Sequence, residues 1–506
     1  MGKVIFSTSS VYGMLGSIRL DQVLPKIGIL FLIFVLTVFF GLLAITANPV
    51  FISIGVGLLL APLFLAKPDW NIWIILVIGL LVAGVLPLWV DWFASKVIWV
   101  ISLLSFVLMF SALFRAASTS ETIRSTPAFV WLALIFMTVT VLNSLAQWSS
   151  LYEFASGLKR YFQAIGLLFA LAWLGFNERQ VRSWRVFFII VAITQLPWAI
   201  YQLVDLVPMR EGIRSAYPGM VPIDIVAGTF GSQMYSGGAN AEMATFLIVM
   251  LAFLLSHRRE KLIGLGNYLL LLPFVLLPLF MGETKVVVLL LPIMFFTLYR
   301  RDFITRPHHA LLAVVMCALI AGGAGYAYFN VTKAKSLDTF VTNTLGYNVY
   351  EKGRGNRELN RTTVLTFWTE QQGWHDPAST IFGSGLGAVH DRTGGSLLMS
   401  KYDGYGIGLT AISTLLWEQG IFGTALFLSI LIFAWRTAGR LQLEGKHPWM
   451  RADAAAIQAA LPLFAFYLFY RNALLEMLPF QIFFYSLLGY LAWLHYQHAY
   501  CVSSKE

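Results

Sequence analysis

The chain is a succession of apolar runs, each about twenty residues long, and this restricts its fold more than any motif does. The runs lie at roughly 27–47, 49–66, 72–91, 95–114, 128–147, 161–177, 186–206, 240–256, 263–281, 285–300, 309–330, 407–435, 453–470 and 476–496. Backbone in lipid must satisfy its own polar groups, so each run reads as a helix, giving about fourteen transmembrane helices. The first two could instead form one hairpin, and the twelfth is too long for a single span. Composition agrees: 58% of the 506 residues are hydrophobic and 12% charged, with a mean hydropathy of +0.74. So few charges could not cover a soluble domain of this size. The expected fold class is an all-α polytopic membrane protein.

Charge gives the orientation. The formal charge of +10 comes from basic residues scattered through short loops, which suits topology determinants and lipid headgroups better than nucleic acid. Placing both termini in the cytoplasm collects most short-loop Lys and Arg inside. The two long loops, 207–239 and 331–405, then lie outside, where long loops translocate regardless of charge. The first apolar run has no small-residue cleavage site after it, so no cleavable signal peptide is expected. Cys317 and Cys501 lack metal-ligand spacing and suggest no disulfide framework. No His or Cys spacing resembles a zinc site, so neither metal nor cofactor is expected. No internal repeat is visible, against the inverted-repeat plan of many transporters. The chain divides into scaffold helices 1–127, central helices 128–330 with the 207–239 loop, a large outer loop 331–406, and C-terminal helices 407–506.

The large loop gathers the chemistry-bearing side chains. It holds Arg354, Arg357, Glu358, Arg361, His375, His390, Asp391, Arg392 and Asp403 among many glycines. Charged and imidazole groups at a bilayer surface suggest a charged, lipid-linked substrate. Arg354, Arg357 and Arg361 recur at helical spacing, where guanidinium forks would suit diphosphate oxygens; a solvated basic face is the plainer alternative. Phe367 and Trp368 could anchor an amphipathic surface helix. Phe382-Gly383-Ser384-Gly385-Leu386-Gly387 follows no strand, so a dinucleotide site fails on context. His390, Glu358 and Asp403 are candidate general bases, in that order.

Other candidates flank the loop. Lys159 and Arg160 sit at the outer start of the sixth run, as snorkelling anchors or phosphate contacts. Glycines at 228–232 and 236–240 either leave backbone amides free for an anion or mark a flexible loop. Glu283 and Lys285 occupy the tight turn Gly282-Glu283-Thr284-Lys285, as an ion pair or with Lys285 on a pyrophosphate. Glu418 precedes Gly420 and Gly423 in the twelfth run, which reads as a half-helix, a break and a full span; the acid either caps the break or faces the site.

These residues resemble a known family. Arg361 ahead of Trp368, then Phe382-Gly383-Ser384-Gly385-Leu386-Gly387, then Trp417-Glu418-Gln419-Gly420-Ile421-Phe422-Gly423, is similar to the O-antigen polymerase and O-antigen ligase family. Lys285 stands where that family usually carries an Arg. Ligases usually carry a His-Asn pair shortly before the Glu of the last motif, whereas this chain has Gly408-Leu409, which favours a polymerase. The resemblance covers the second half of the chain by motif and the first half by topology.

The resemblance implies a GT-C-like, inverting, metal-independent glycosyltransferase at the periplasmic face of the bacterial inner membrane. Its donor would be a glycan on undecaprenyl diphosphate and its acceptor a second lipid-linked repeat unit. Flippase and chain-length regulator proteins would be its partners. Arg361, Lys285, Arg160, Lys159, Arg357 and Arg354 would meet the diphosphate, with Gly383, Gly385, Gly387, Glu283 and Glu418 lining or shaping the site. The alternatives are a ligase that transfers glycan to a lipid A core and, from another class, a flippase for lipid-linked oligosaccharides.

Overall fold

The computed structural model describes residues 64–119, 125–148, 150–217, 220–282, 286–305, 359–373, 376–390 and 397–503, with Ile123 and single residues between 308 and 323. Glu283, Lys285, Arg354, Arg357, Glu358, His375, Asp391 and Arg392 lie outside the described residues, as do most of the runs 27–47, 49–66 and 309–330. Two units divide the chain, Met1–Lys67 and Pro68–Glu506. Of the first, residues 64–67 are described, and 64–66 are helical.

The second unit is all-helical, with no strand among the described residues. Its helices are α1 (Pro68–Val77), α2 (Asp91–Ser118), α3 (Ala128–Ala146), α4 (Leu151–Phe162), α5 (Ile165–Trp173), α6 (Glu178–Tyr201), α7 (Asn240–Arg259) and α8 (Leu265–Met281). There follow α9 (Val287–Thr305), α10 (Thr363–Gln371), α11 (Pro377–Phe382), α12 (Leu397–Lys401), α13 (Ala411–Glu444), α14 (Pro448–Tyr470), α15 (Ala473–Glu476) and α16 (Leu478–Ser503). Among the described residues, six stretches are long and apolar enough to cross a membrane: Phe93–Ser118, Ala128–Ala146, Glu178–Ile213, Asn240–Arg259, Ala411–Glu444 and Pro448–Tyr470. The protein is a polytopic α-helical membrane protein.

The centre of the bundle is α14. It packs along α13, α7 and α9, and its small residues Ala454, Ala456, Ala459 and Ala460 are fully buried. Small side chains let helix backbones approach closely, which supplies the dispersion contacts that hold helices together in lipid. The same device seats α5 against α2, where the Gly166 amide donates to Ser105 Oγ at 3.1 Å.

Three expected boundaries move. The run at 161–177 does not form one span, because the chain breaks at Gln163 and Ala164 between α4 and α5. Ser150 caps α4 by accepting from the Glu153 amide at 3.2 Å, and α5, at nine residues, is too short to cross the bilayer. The run at 186–206 begins earlier, where Asn177 and Gln180 form a reciprocal capping box. It also continues through a wide π turn, Gln202–Leu206, to Ile213.

The 220–239 segment is no flexible loop. Gln195 and Gln202, seven residues apart and both fully buried on α6 and its extension, draw it into the bundle. Gln202 Oε1 accepts from the amides of Ala227 and Gly228 at 3.0 and 2.8 Å, and Gln195 Oε1 accepts from the Thr229 amide at 2.9 Å. The Gly228 amide is therefore not free for an anion.

Candidate active site

The residues from Arg471 to Glu476 turn the chain from α14 into α16, and both ends of this turn are charged. α14 stops because Arg471 takes up extended backbone (φ −159°, ψ 161°). Its carbonyl then accepts from the Ala411 amide at 3.3 Å, fastening the turn to the start of α13.

At one end, Glu476 meets Nε2 of His390. The other imidazole nitrogen, Nδ1, faces Glu418 Oε1 at 3.4 Å. Glu418 is fully buried, whereas 18% of the His390 side chain and 38% of the Glu476 side chain remain open. The imidazole therefore stands between an enclosed carboxylate and an accessible one. Glu418 Oε1 also accepts from the Val389 amide at 3.2 Å, and Tyr161 and Arg160 on α4 lie within its electrostatic reach.

A break in α13 makes this arrangement possible. The helix leaves its path at Gly420 (φ 64°, ψ −168°). The carbonyls of Trp417 and Glu418 accept instead from the amides of Ser384 and Gly385 at 2.9 and 3.0 Å. From α3, Asn143 Nδ2 donates to the carbonyls of Phe382 and Glu418 at 2.6 and 3.2 Å, and Ser144 Oγ accepts from the Leu386 amide at 2.9 Å. Gly383 (φ 79°) crosses so close to the break that a Cβ there would lie 2.4 Å from the Glu418 carbonyl carbon; one on Gly420 would lie 2.3 Å from the Ile381 oxygen. Gly385 and Gly387 run against Gln147 and Glu153. The glycine-rich stretch is a clasp that closes the break in α13 and carries His390 to Glu418.

At the other end of the turn are arginines. Arg361 Nε donates to the Tyr470 carbonyl at 2.6 Å, and its guanidinium lies over the Tyr470 ring at 4.4 Å. Arg471 Nη1 is 3.4 Å from Oε2 of the fully buried Glu242 and donates to the Gly238 carbonyl at 2.9 Å. Glu242, above all, holds the Arg471 guanidinium above its usual range, against desolvation by burial. Arg210, fully buried, donates from Nη2 to the Ser236 carbonyl at 2.7 Å, while its Nε and Nη1 have no partner among the described residues.

The turn thus gathers Arg361, His390 and Glu418, with Arg160 beside Glu418. Lys159 lies in the last turn of α4, not at the start of a span, and stands over the Trp99 ring at 5.6 Å. Arg361 sits in the turn ahead of α10 rather than on a helix. Trp368 does not anchor a surface helix; it is buried with Val389, Tyr402, Ile407 and Trp417 in the apolar floor beneath the clasp. Asp403 is exposed and makes no hydrogen bond or ion pair among the described residues. No sequence pattern marks Glu476, Arg471 or Arg210 as functional; the one signal, a charged turn between two apolar runs, covers Arg471 and Glu476. No group of three or more His, Cys, Asp or Glu side chains among the described residues could hold a metal ion. Comparison with models of known protein families and with curated proteins returned no match to this chain.

Proposed function

We propose that the protein is a polysaccharide polymerase that joins undecaprenyl-diphosphate-linked oligosaccharide units at the outer face of the bacterial inner membrane. The observation that carries this reading is His390 held between Glu418 and Glu476, one turn away from Arg361 and Arg471. In it, the acceptor hydroxyl takes the place of Glu476 at Nε2 of His390 and gives its proton to that nitrogen as the hydroxyl oxygen attacks the anomeric carbon of the donor. The anomeric C–O bond to the diphosphate breaks, and both electrons leave with the diphosphate. Glu418 beside Nδ1, with Glu476 still close by, stabilises the imidazolium that forms. Arg361, Arg471 and Arg160 stabilise the departing negative charge. Guanidinium groups supply the positive charge, so the reaction is metal-independent. About fourteen spans, a GT-C-like bundle and cytoplasmic termini complete the proposal.

The test is glycan length in a strain lacking the protein, rescued with wild type or with Arg361→Ala. The expected result is long chains with wild type and single repeat units with the variant. Full rescue by Arg361→Ala would remove the site from the reaction. Long chains left unattached to an acceptor would point to a ligase, and repeat units trapped on the cytoplasmic leaflet to a flippase.

A further inference from the structure

A second charged cluster sits at the other end of α14, about 27 Å of helix from Arg471 and so nearly a hydrocarbon thickness away. Asp453 is fully buried. His257 Nε2 meets its Oδ1 at 2.6 Å, Arg185 Nη1 lies 3.2 Å from Oδ2, and the Tyr490 hydroxyl donates to Oδ2 at 2.5 Å. These bonds account for the acid but not for the space beside it. A cavity of about 160 Å³ is walled by apolar side chains including Leu171, Phe188, Ala192 and Phe274, and is polar where the Asp453 cluster and Ser486 face it.

The apolar part of a cavity of this size is large enough for about one benzene ring, so its natural filling is a short run of hydrocarbon. The charges at its polar end fix what that hydrocarbon carries. Arg185 is held between the rings of Trp449 and Tyr490, at 5.8 and 5.7 Å, and pairs with Asp453 and the Tyr490 hydroxyl. Of the Arg185 and His257 side chains, 30% and 24% remain open. Arg182, one turn earlier on α6, and Arg258, beside His257, are exposed at the same end and add positive charge. A hydrocarbon chain ending in an anion complements this arrangement, as in other basic pockets between membrane helices.

We propose that the cavity binds a short segment of one acyl chain of an anionic phospholipid whose phosphate rests on Arg185 and His257. The site is independent of the glycosyl-transfer reading and survives its failure.

The test is native mass spectrometry of the full chain, stripped in detergent and then offered phosphatidylglycerol or phosphatidylcholine with identical chains. One molecule of phosphatidylglycerol should be retained about tenfold better than phosphatidylcholine, and Ala192→Phe and Arg185→Gln should each abolish that preference. Equal retention of the two lipids by the wild-type protein would overturn the proposal, even if the variants fail to fold. So would a folded Ala192→Phe protein that keeps the preference, or displacement of the lipid by inorganic phosphate alone.

Discussion

His390 directs Nδ1 at the buried carboxylate of Glu418, 3.4 Å away, and the amide of its neighbour Val389 donates to the same Glu418 oxygen at 3.2 Å. The acid thus fixes the backbone next to the residue proposed as base and faces its ring. Glu476 meets the other ring nitrogen, Nε2. Exchange of Glu476 for the acceptor hydroxyl at Nε2 would free that nitrogen to take the proton, and Glu418 beside Nδ1 would stabilise the charge the ring then carries.

This arrangement predicts different effects at the two acids. Glu418→Gln keeps an acceptor for the Val389 amide but loses the charge, and should lower the rate of polymer formation by about 10²-fold with little change in thermal stability. Glu476→Gln should cost activity without unfolding the clasp, since the acid is partly open. Rates and melting temperatures measured on the same preparations check both outcomes; a Glu418→Gln protein with wild-type rate contradicts them.

The clasp predicts a stability effect. Gly383→Ala and Gly420→Ala each put a Cβ within 2.4 Å of a facing backbone atom, on a backbone with positive φ. Each should destabilise the protein by about 1–3 kcal/mol. Thermal melting in detergent reads this, with Gly264→Ala as a control, because nothing lies within 4 Å of a Cβ there.

Arg361 predicts a failure of conservative replacement. Its guanidinium both lies over the Tyr470 ring and donates to the Tyr470 carbonyl, a combination that a lysine ammonium does not reproduce. Arg361→Lys should rescue glycan length no better than Arg361→Ala in the deletion strain.

Arg471 and Glu242 predict coupling. Arg471→Met leaves Glu242 buried without its cation and should cost on the order of 2 kcal/mol, less than for a wholly enclosed pair because 37% of the Arg471 side chain is open. Adding Glu242→Gln should restore part of the loss, as read by melting temperatures around the double-mutant cycle.

Asp376 gives the pH dependence of the loop. Its carboxylate caps α11 by accepting from the Ser379 hydroxyl and amide, and these bonds hold its pKa below the ordinary 3.8. A depressed folded value means the contribution is complete above 3.8 and is lost as pH falls through the lower folded value. Protection of α11 amides from hydrogen exchange should therefore fall as pH drops below 3.8 through the lower folded value, and Asp376→Asn should remove the pH step.

The sequence made some of this readable and hid the rest. The break in α13 was legible because Glu418-Gln419-Gly420 interrupts an apolar run longer than one span. Membrane helices were legible from run length, but the division between α4 and α5 was not, since no proline or glycine marks Gln163 and Ala164. The folded state of the 220–239 segment rests on Gln195 and Gln202, whose spacing on α6 gives no hint of what they bind. The pairing of Arg471 with Glu242 joins residues 229 positions apart, and no local pattern announces it. Trp368 looked like an interfacial anchor because Phe367 and Trp368 side by side in a polar loop suit that role; tertiary packing placed Trp368 in the floor beneath the clasp.

The most direct test of the central claim is polymerisation by the purified protein in liposomes supplied with an undecaprenyl-diphosphate-linked repeat unit. The account predicts a ladder of long products with wild type and a rate lower by about 10²- to 10⁴-fold with His390→Ala, at unchanged melting temperature. A full ladder from a folded His390→Ala protein would contradict it.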